Sequence, residues 1–185
     1  MILRACLTFL LVTAYVTFGA DLSAVPDKPL ANKKELLFSD DFEGASMIDV
    51  EFDDRKYTGS HYGHLCRAQV RLTGVTIVDE REGSQNNAIN ELKKDPAKKA
   101  EVAKLLAGRS ANYPFAAKLE TGKWYTLVVE TVGDEMRVTI DGKPAAFLKS
   151  SGIAHATKSK IELGVAGKDG FFDDIKVWNA EAAKQ

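Results

Sequence analysis

The stretch "GKWYTLVVETVGDEMRVTIDGKPAAFLKS", residues 122–150, constrains the fold more than any other part of the chain. Tyr125, Leu127 and Val129 alternate with Thr126, Val128 and Glu130. Met136, Val138 and Ile140 alternate with Arg137, Thr139 and Asp141. A period of two places one set of side chains on each face of a strand. Gly133-Asp134 and Asp141-Gly142 separate the runs, and such dipeptides close tight antiparallel hairpins. The segment therefore reads as an antiparallel meander.

The same pattern recurs elsewhere. "MIDVEFDD" (47–54) puts Ile48, Val50 and Phe52 on one face and Asp49, Glu51 and Asp53 on the other. "ELLFSDDFE" (35–43), "HLCRAQVRL" (64–72), "VTIVDE" (75–80), "KIELGV" (160–165) and "FFDDIKVW" (171–178) supply further strands. Many short strands divided by turn residues predict an all-β sandwich or barrel. One segment differs. "NNAINELKKDPAKKAEVAKLLAGR" (86–109) predicts a helical excursion, with Asp95 as a cap, Pro96 at the first helical position and Gly108 at the end. Val102, Leu105 and Leu106 form its apolar stripe, and its lysines read as a solvated face.

The first 20 residues, "MILRACLTFLLVTAYVTFGA", carry one early cation, an apolar run and then small residues. That is the layout of a secretory signal peptide, with cleavage after Gly19 or Ala20 and a secreted or periplasmic product. The run is short for a membrane span and no second one follows, so no stable span is expected once the signal is removed. Residues 21–35 are polar with two prolines and read as a linker, residues 36–180 as the domain, and 181–185 as a tail. Without Arg4 the chain keeps 24 basic residues against 26 acidic ones. No basic footprint for nucleic acid remains. Cys66 is then the one cysteine left, so an internal disulfide is excluded and stability must come from the core. Beside His64 and Arg67 that thiol could be a reactive nucleophile, but a buried small apolar residue on a strand is the better reading.

Two of the three histidines, His61 and His64, lie in "GSHYGHLCRA" (59–68). On a straight strand, residues three apart point to opposite faces. Both serve one site only if the segment is a bend entering a strand at about His64, which Gly59 and Gly63 permit. Two imidazoles there could hold a divalent metal ion together with carboxylates such as Asp53 or Asp79. They could act as acid and base near neutral pH, or hydrogen-bond sugar hydroxyls. They could also simply hold a loop. His155 in "SGIAHATKSK" (151–160), with Lys158 after it, suits an anionic or hydroxylated ligand or a plain surface loop. The chain contains no G-x-S-x-G, no H-E-x-x-H, no phosphate loop and no two-carboxylate glucanase segment. "DDF" (40–42) and "FDD" (52–54 and 172–174) are acidic enough to suggest calcium, but they lack EF-hand spacing and read as strand-end carboxylates.

Three strings carry a resemblance. "FDDRKYTGSHYGHLCRAQV", "GKWYTLVVETVGDEMRVTIDGKPAAFLKSSGIAHATKSKIELGV" and "FFDDIKVWNAE" resemble the 3-keto-disaccharide hydrolase domain, a family of concanavalin A-like sandwiches abundant in planctomycete-type bacteria. The resemblance spans roughly residues 36 to 180. It implies a jelly roll of two antiparallel sheets, into which the helical excursion at 86–109 is inserted, and a carbohydrate partner. The implied activity is cleavage of glycosides oxidised to a ketone at sugar carbon 3, with a non-catalytic carbohydrate-binding or degenerate surface protein as the alternative. It also implies His61, His64 and His155 as catalytic residues and Asp53, Arg67, Asp79 and Lys158 as substrate-binding ones. A divalent metal, if used, would have His61 and His64 as candidate ligands. The chain departs from the family where Glu43 reaches Met47 almost directly. Related sequences place several more strands there, so the domain is expected to be shortened near 44–47, with exposed sheet edges and a thinner core.

Overall fold

The computed structural model describes residues 22–40, 48–165 and 172–183. Residues 1–20, assigned above to a signal peptide, and the shortened segment at 44–47 lie outside these.

Among the described residues, ten strands form antiparallel sheets. β2 (Ile48–Asp53), β3 (His64–Arg71), β4 (Gly74–Asp79), β5 (Ser110–Pro114) and β9 (Lys160–Gly164) make a five-stranded sheet in the order β5-β4-β3-β2-β9. β6 (Leu127–Val132), β7 (Glu135–Ile140) and β8 (Lys143–Lys149) form the meander expected from residues 122–150. Asp141 and Gly142 both have positive φ (50° and 74°), the conformation that a two-residue hairpin of matching twist requires. β1 (Ala31–Asp40) pairs with β10 (Ile175–Ala182) as a separate ribbon. This is the all-β antiparallel sandwich class that the alternation predicts.

The core lies between the two larger sheets. Val50, Phe52, Ala68, Val75 and Ile77 from one sheet meet Met136, Val138, Ala146 and Leu148 from the other, all buried. Tyr113 on β5 spans the gap, its hydroxyl donating to the Phe147 carbonyl at 2.9 Å. Cys66 is fully buried in this core. Toward β9 the core thins. Ile161, Leu163 and Val165 are 38%, 37% and 41% exposed.

The segment expected as a linker is part of the structure. Val25 and Leu30 are buried, and the carbonyls of Pro26 and Asp27 accept from Arg137 at 2.7 and 2.8 Å. Glu130 pairs with the same guanidinium at 2.8 Å, so the polar side of β7 is covered as well as its apolar one. Ala31 pairs with Ala182, so β1 begins before residue 35 and β10 runs past residue 180. Hydropathy alone hides this, because the covering contacts are made by backbone carbonyls.

The helical excursion divides in two. α1 (Asn87–Leu92) is capped by the Asn86 side chain, and α2 (Lys99–Leu106) follows a single tight turn at Pro96–Lys98. The Asp95 side chain caps that turn, as expected, by accepting from Ala97 N at 2.9 Å. Pro96 cannot donate within a helix and separates the two.

Asp79, at the end of β4, joins the sandwich to its loops. Its carboxylate accepts from Glu82 N at 2.9 Å, Gly152 N at 3.0 Å and the Ser150 hydroxyl at 2.5 Å, and it pairs with Arg109 at 3.2 Å. A Cβ at residue 152 would stand 1.8 Å from Asp79 Oδ1. Gly152→Ala is therefore expected to destabilise the fold by about 1–3 kcal/mol or more, the usual cost of overpacking a filled site. Urea denaturation measures this, and a midpoint equal to that of the wild type would contradict the packing.

Candidate functional site

The site is built on the outer face of the five-stranded sheet. Glu51 and Asp53 are two residues apart on β2, so they share the face opposite Val50 and Phe52. On β3 the pairing is Glu51 with Arg67 and Phe52 with Cys66, but then Asp53 with His64. Leu65 is skipped. This bulge brings His64 to the face that holds Glu51 and Asp53, where a regular strand would turn it into the core. His64 Nδ1 contacts the Glu51 carboxylate and lies 3.0 Å from Asp53 Oδ1. One donor atom from each of the three falls within 4.8 Å of the others.

Four charged residues surround this trio. Lys160 on β9 lies 3.4 Å from Asp53 Oδ2 and also pairs with Glu162. Glu80, just past β4, has a side chain 1% exposed, with Arg67 Nη2 3.1 Å from its Oε1. The pair lacks hydrogen-bond alignment, and neither Glu80 oxygen has a hydrogen-bond partner. Burial pushes the Glu80 carboxyl up to about 8; the Arg67 charge opposes that rise, while Glu51 and Asp53 add to it.

The bend carrying His61 is the one the glycines permit. His61–Gly63 forms a single tight turn, and β3 begins at His64. Gly63 has φ 80°, and a Cβ there would lie 2.2 Å from the Asp54 carbonyl oxygen. Tyr62 holds φ 50°, rare for an aromatic residue, and is 80% exposed. His61 is exposed, with its ring 4.0 Å from that of Tyr62 and 6.4 Å from that of His64. The two histidines are therefore neighbours, but His61 is outside the trio of converging donors.

The other expected residues sit elsewhere. His155 Nε2 is 3.0 Å from Asp54 Oδ2, and its Nδ1 is 3.3 Å from an Arg81 nitrogen. The His155 contact holds the Asp54 carboxyl below its ordinary range, helped by Lys56 N. Lys158 donates to the carbonyls of Ile153 and His155, both at 3.0 Å, and burial lowers its pKa. Asp79 is fully buried and occupied by its four donors, so it does not join the histidines. A second polar cluster, absent from the sequence reading, extends from Asp79 to the surface. Arg109 pairs with Glu82 at 2.9 Å, and Glu82 accepts from Ser151 and Arg81. The Ser151 hydrogen bond, with both arginines, keeps the Glu82 carboxyl below its usual range. Of the expected residues, the structure thus groups Asp53, His64 and Arg67, places His61 beside them, and holds His155, Lys158 and Asp79 in separate contacts with Asp54, Arg81 and the 150–155 backbone.

Sequence reasoning missed Glu51 and Glu80 as site residues. Period two already placed Glu51 beside Asp53. Glu80 follows Asp79 at a strand end, and alternation sends the two carboxylates to opposite faces.

Comparison with protein-family models, curated proteins and solved structures gave no match. Among the described residues, no helix is long and apolar enough to cross a membrane.

Cys66 is on the core face, one layer beneath this site. Burial pushes its thiol up to about 12, so it is an apolar filler and not a nucleophile. An alkylating reagent at about pH 8 is expected to leave Cys66 unmodified in the native protein and to label it in urea. Peptide mapping reads the result, and native-state labelling at the unfolded rate would contradict this placement.

Proposed function

We propose that the chain is an exported carbohydrate-active hydrolase or lyase that cleaves 3-keto-glycosides at the outer face of the five-stranded sheet. One observation carries this reading: an exposed imidazole, His61, stands beside a partly buried imidazole–carboxylate cluster flanked by fixed cations. The chemistry needs those parts. A ketone at sugar carbon 3 acidifies the C–H at carbon 2. A base removes that proton, the enolate forms, and the glycosidic C–O bond breaks as its electron pair leaves with the aglycone oxygen. That oxygen takes a proton from an acid. Water then adds across the new double bond and restores the keto sugar.

His61, exposed and without a side-chain hydrogen-bond partner among the described residues, is the candidate base. Arg67 is the candidate for holding the enolate oxygen, since its side chain is partly exposed beside the cluster and its charge is fixed. Lys158 is less suited to that role, being committed to two backbone carbonyls.

A second reading, a non-catalytic carbohydrate-binding sandwich, is favoured by Tyr62. Its ring is 80% exposed on a backbone held at positive φ, the form of a stacking platform for a sugar ring.

The test is incubation of the purified chain with a 3-keto-disaccharide, following release of free sugar. Release is expected, and His61→Ala is expected to lower kcat/KM by about 100-fold or more without changing the melting temperature. Saturable sugar binding without release, lost in Tyr62→Ala, would replace the enzyme reading with the binding one. Neither release nor binding from a folded sample would overturn both.

A further inference from the structure

We infer that Glu51, Asp53 and His64 form a binding site for one divalent first-row transition-metal ion, of which Mn2+ and Zn2+ are the fitting members. The donors come from adjacent strands and are aimed at one another: His64 Nδ1 faces Glu51 and Asp53 together, and one atom from each lies within a 4.8 Å span. Ligands that share an ion at a bond length of about 2.0–2.2 Å fall within such a span. The β-bulge opposite Asp53 exists at this place only, among the pairings of β2 with its two neighbours, and its effect is to deliver the imidazole to the carboxylates.

A second observation points to the same ligand independently. The Glu80 side chain is 1% exposed, lies against Glu51, and has no N–H donor aligned to either oxygen among the described residues. A carboxylate buried in that state is costly unless a cation compensates it. Arg67 is ion-paired to one Glu80 oxygen at 3.1 Å, without hydrogen-bond alignment, and the other oxygen faces no aligned donor among the described residues. The mixed imidazole and carboxylate set favours a transition ion over Ca2+ or Mg2+, which take all-oxygen shells. His61 is not among the converging donors, which corrects the pairing of His61 with His64 suggested by their spacing. An ion here would lie on the face to which the keto-sugar is assigned, but the inference rests on the donor set and not on the substrate.

Mn2+ binding tests it without any turnover measurement. The chain is stripped with chelator, and Mn2+ is titrated in while the free-ion electron paramagnetic resonance signal is followed. One ion per chain is expected. His64→Gln and Glu51→Gln are each expected to weaken binding by at least about 10–100-fold, the loss seen when even outer-shell partners are removed. His61→Ala is expected to bind as the wild type does. Circular dichroism melts establish that each variant is folded. Absence of stoichiometric binding to the folded wild type, or equal binding by His64→Gln, would overturn the site. Loss in His61→Ala equal to that in His64→Gln would overturn the donor set. Metal binding without sugar cleavage would leave this inference standing and remove the enzymatic one.

Discussion

The buried carboxylate of Asp79 is the point on which the remaining geometry depends. It collects donors from three separate stretches: the turn after β4, the 150–152 loop and Arg109 ahead of β5. The Asp79 amide also donates to the Arg109 carbonyl at 2.8 Å. A fully buried carboxylate is tolerable only with its lone pairs occupied, and here they are. The consequence reaches beyond stability. Fixing the turn after β4 fixes Glu80, and fixing the 150–152 loop fixes His155 and the lysine that donates to its carbonyl. Adjacent residues thus illustrate two fates for a buried acid. Asp79 on the core side is saturated by donors, whereas Glu80 on the outer side has none aligned to it.

The outer face depends on a smaller device. Alternation would send His64 and Cys66 to the same side, and burying an imidazole beside a core thiol would cost its hydrogen bonds. One extra residue in β3 reverses the side for His64 and leaves Cys66 in the core. The glycines of the turn make this possible. Gly63 accepts a positive φ and lies against the Asp54 backbone, whose amide takes the Gly63 carbonyl at 3.0 Å. Turn, bulge and histidine therefore act as one unit.

The fold was largely legible in the sequence because strand alternation and hairpin dipeptides are local signals. Met136 and Val138 face the core, and Asp141-Gly142 turns the chain, as the pattern requires. What escaped was non-local. The segment at 22–30 reads as polar linker, yet it covers Arg137 through carbonyl groups that no hydropathy pattern records. β1 and β10 lie at opposite ends of the chain, and their register over Ala31 and Ala182 has no local signature. The site divides in the same way. Asp53 and Glu51 follow from period two, but the grouping of His64 with them depends on a bulge that sequence spacing does not reveal. The H-x-x-H spacing suggested a shared site for His61 and His64, and the bulge is what gives the two different surroundings.

That difference in surroundings bears on any chemistry at this face. An imidazole between two carboxylates has its Nδ1 committed and is held in one orientation. An exposed imidazole a short distance away retains both nitrogens for solvent or ligand. A site that must bind charge and also move a proton needs both kinds of group, because one nitrogen cannot hold a cation and accept a substrate proton at once. Tyr62, at positive φ and exposed between them in sequence, has its ring 4.0 Å from that of His61 and 6.1 Å from that of His64. The strain at that residue therefore coincides with the division between the buried and the accessible imidazole.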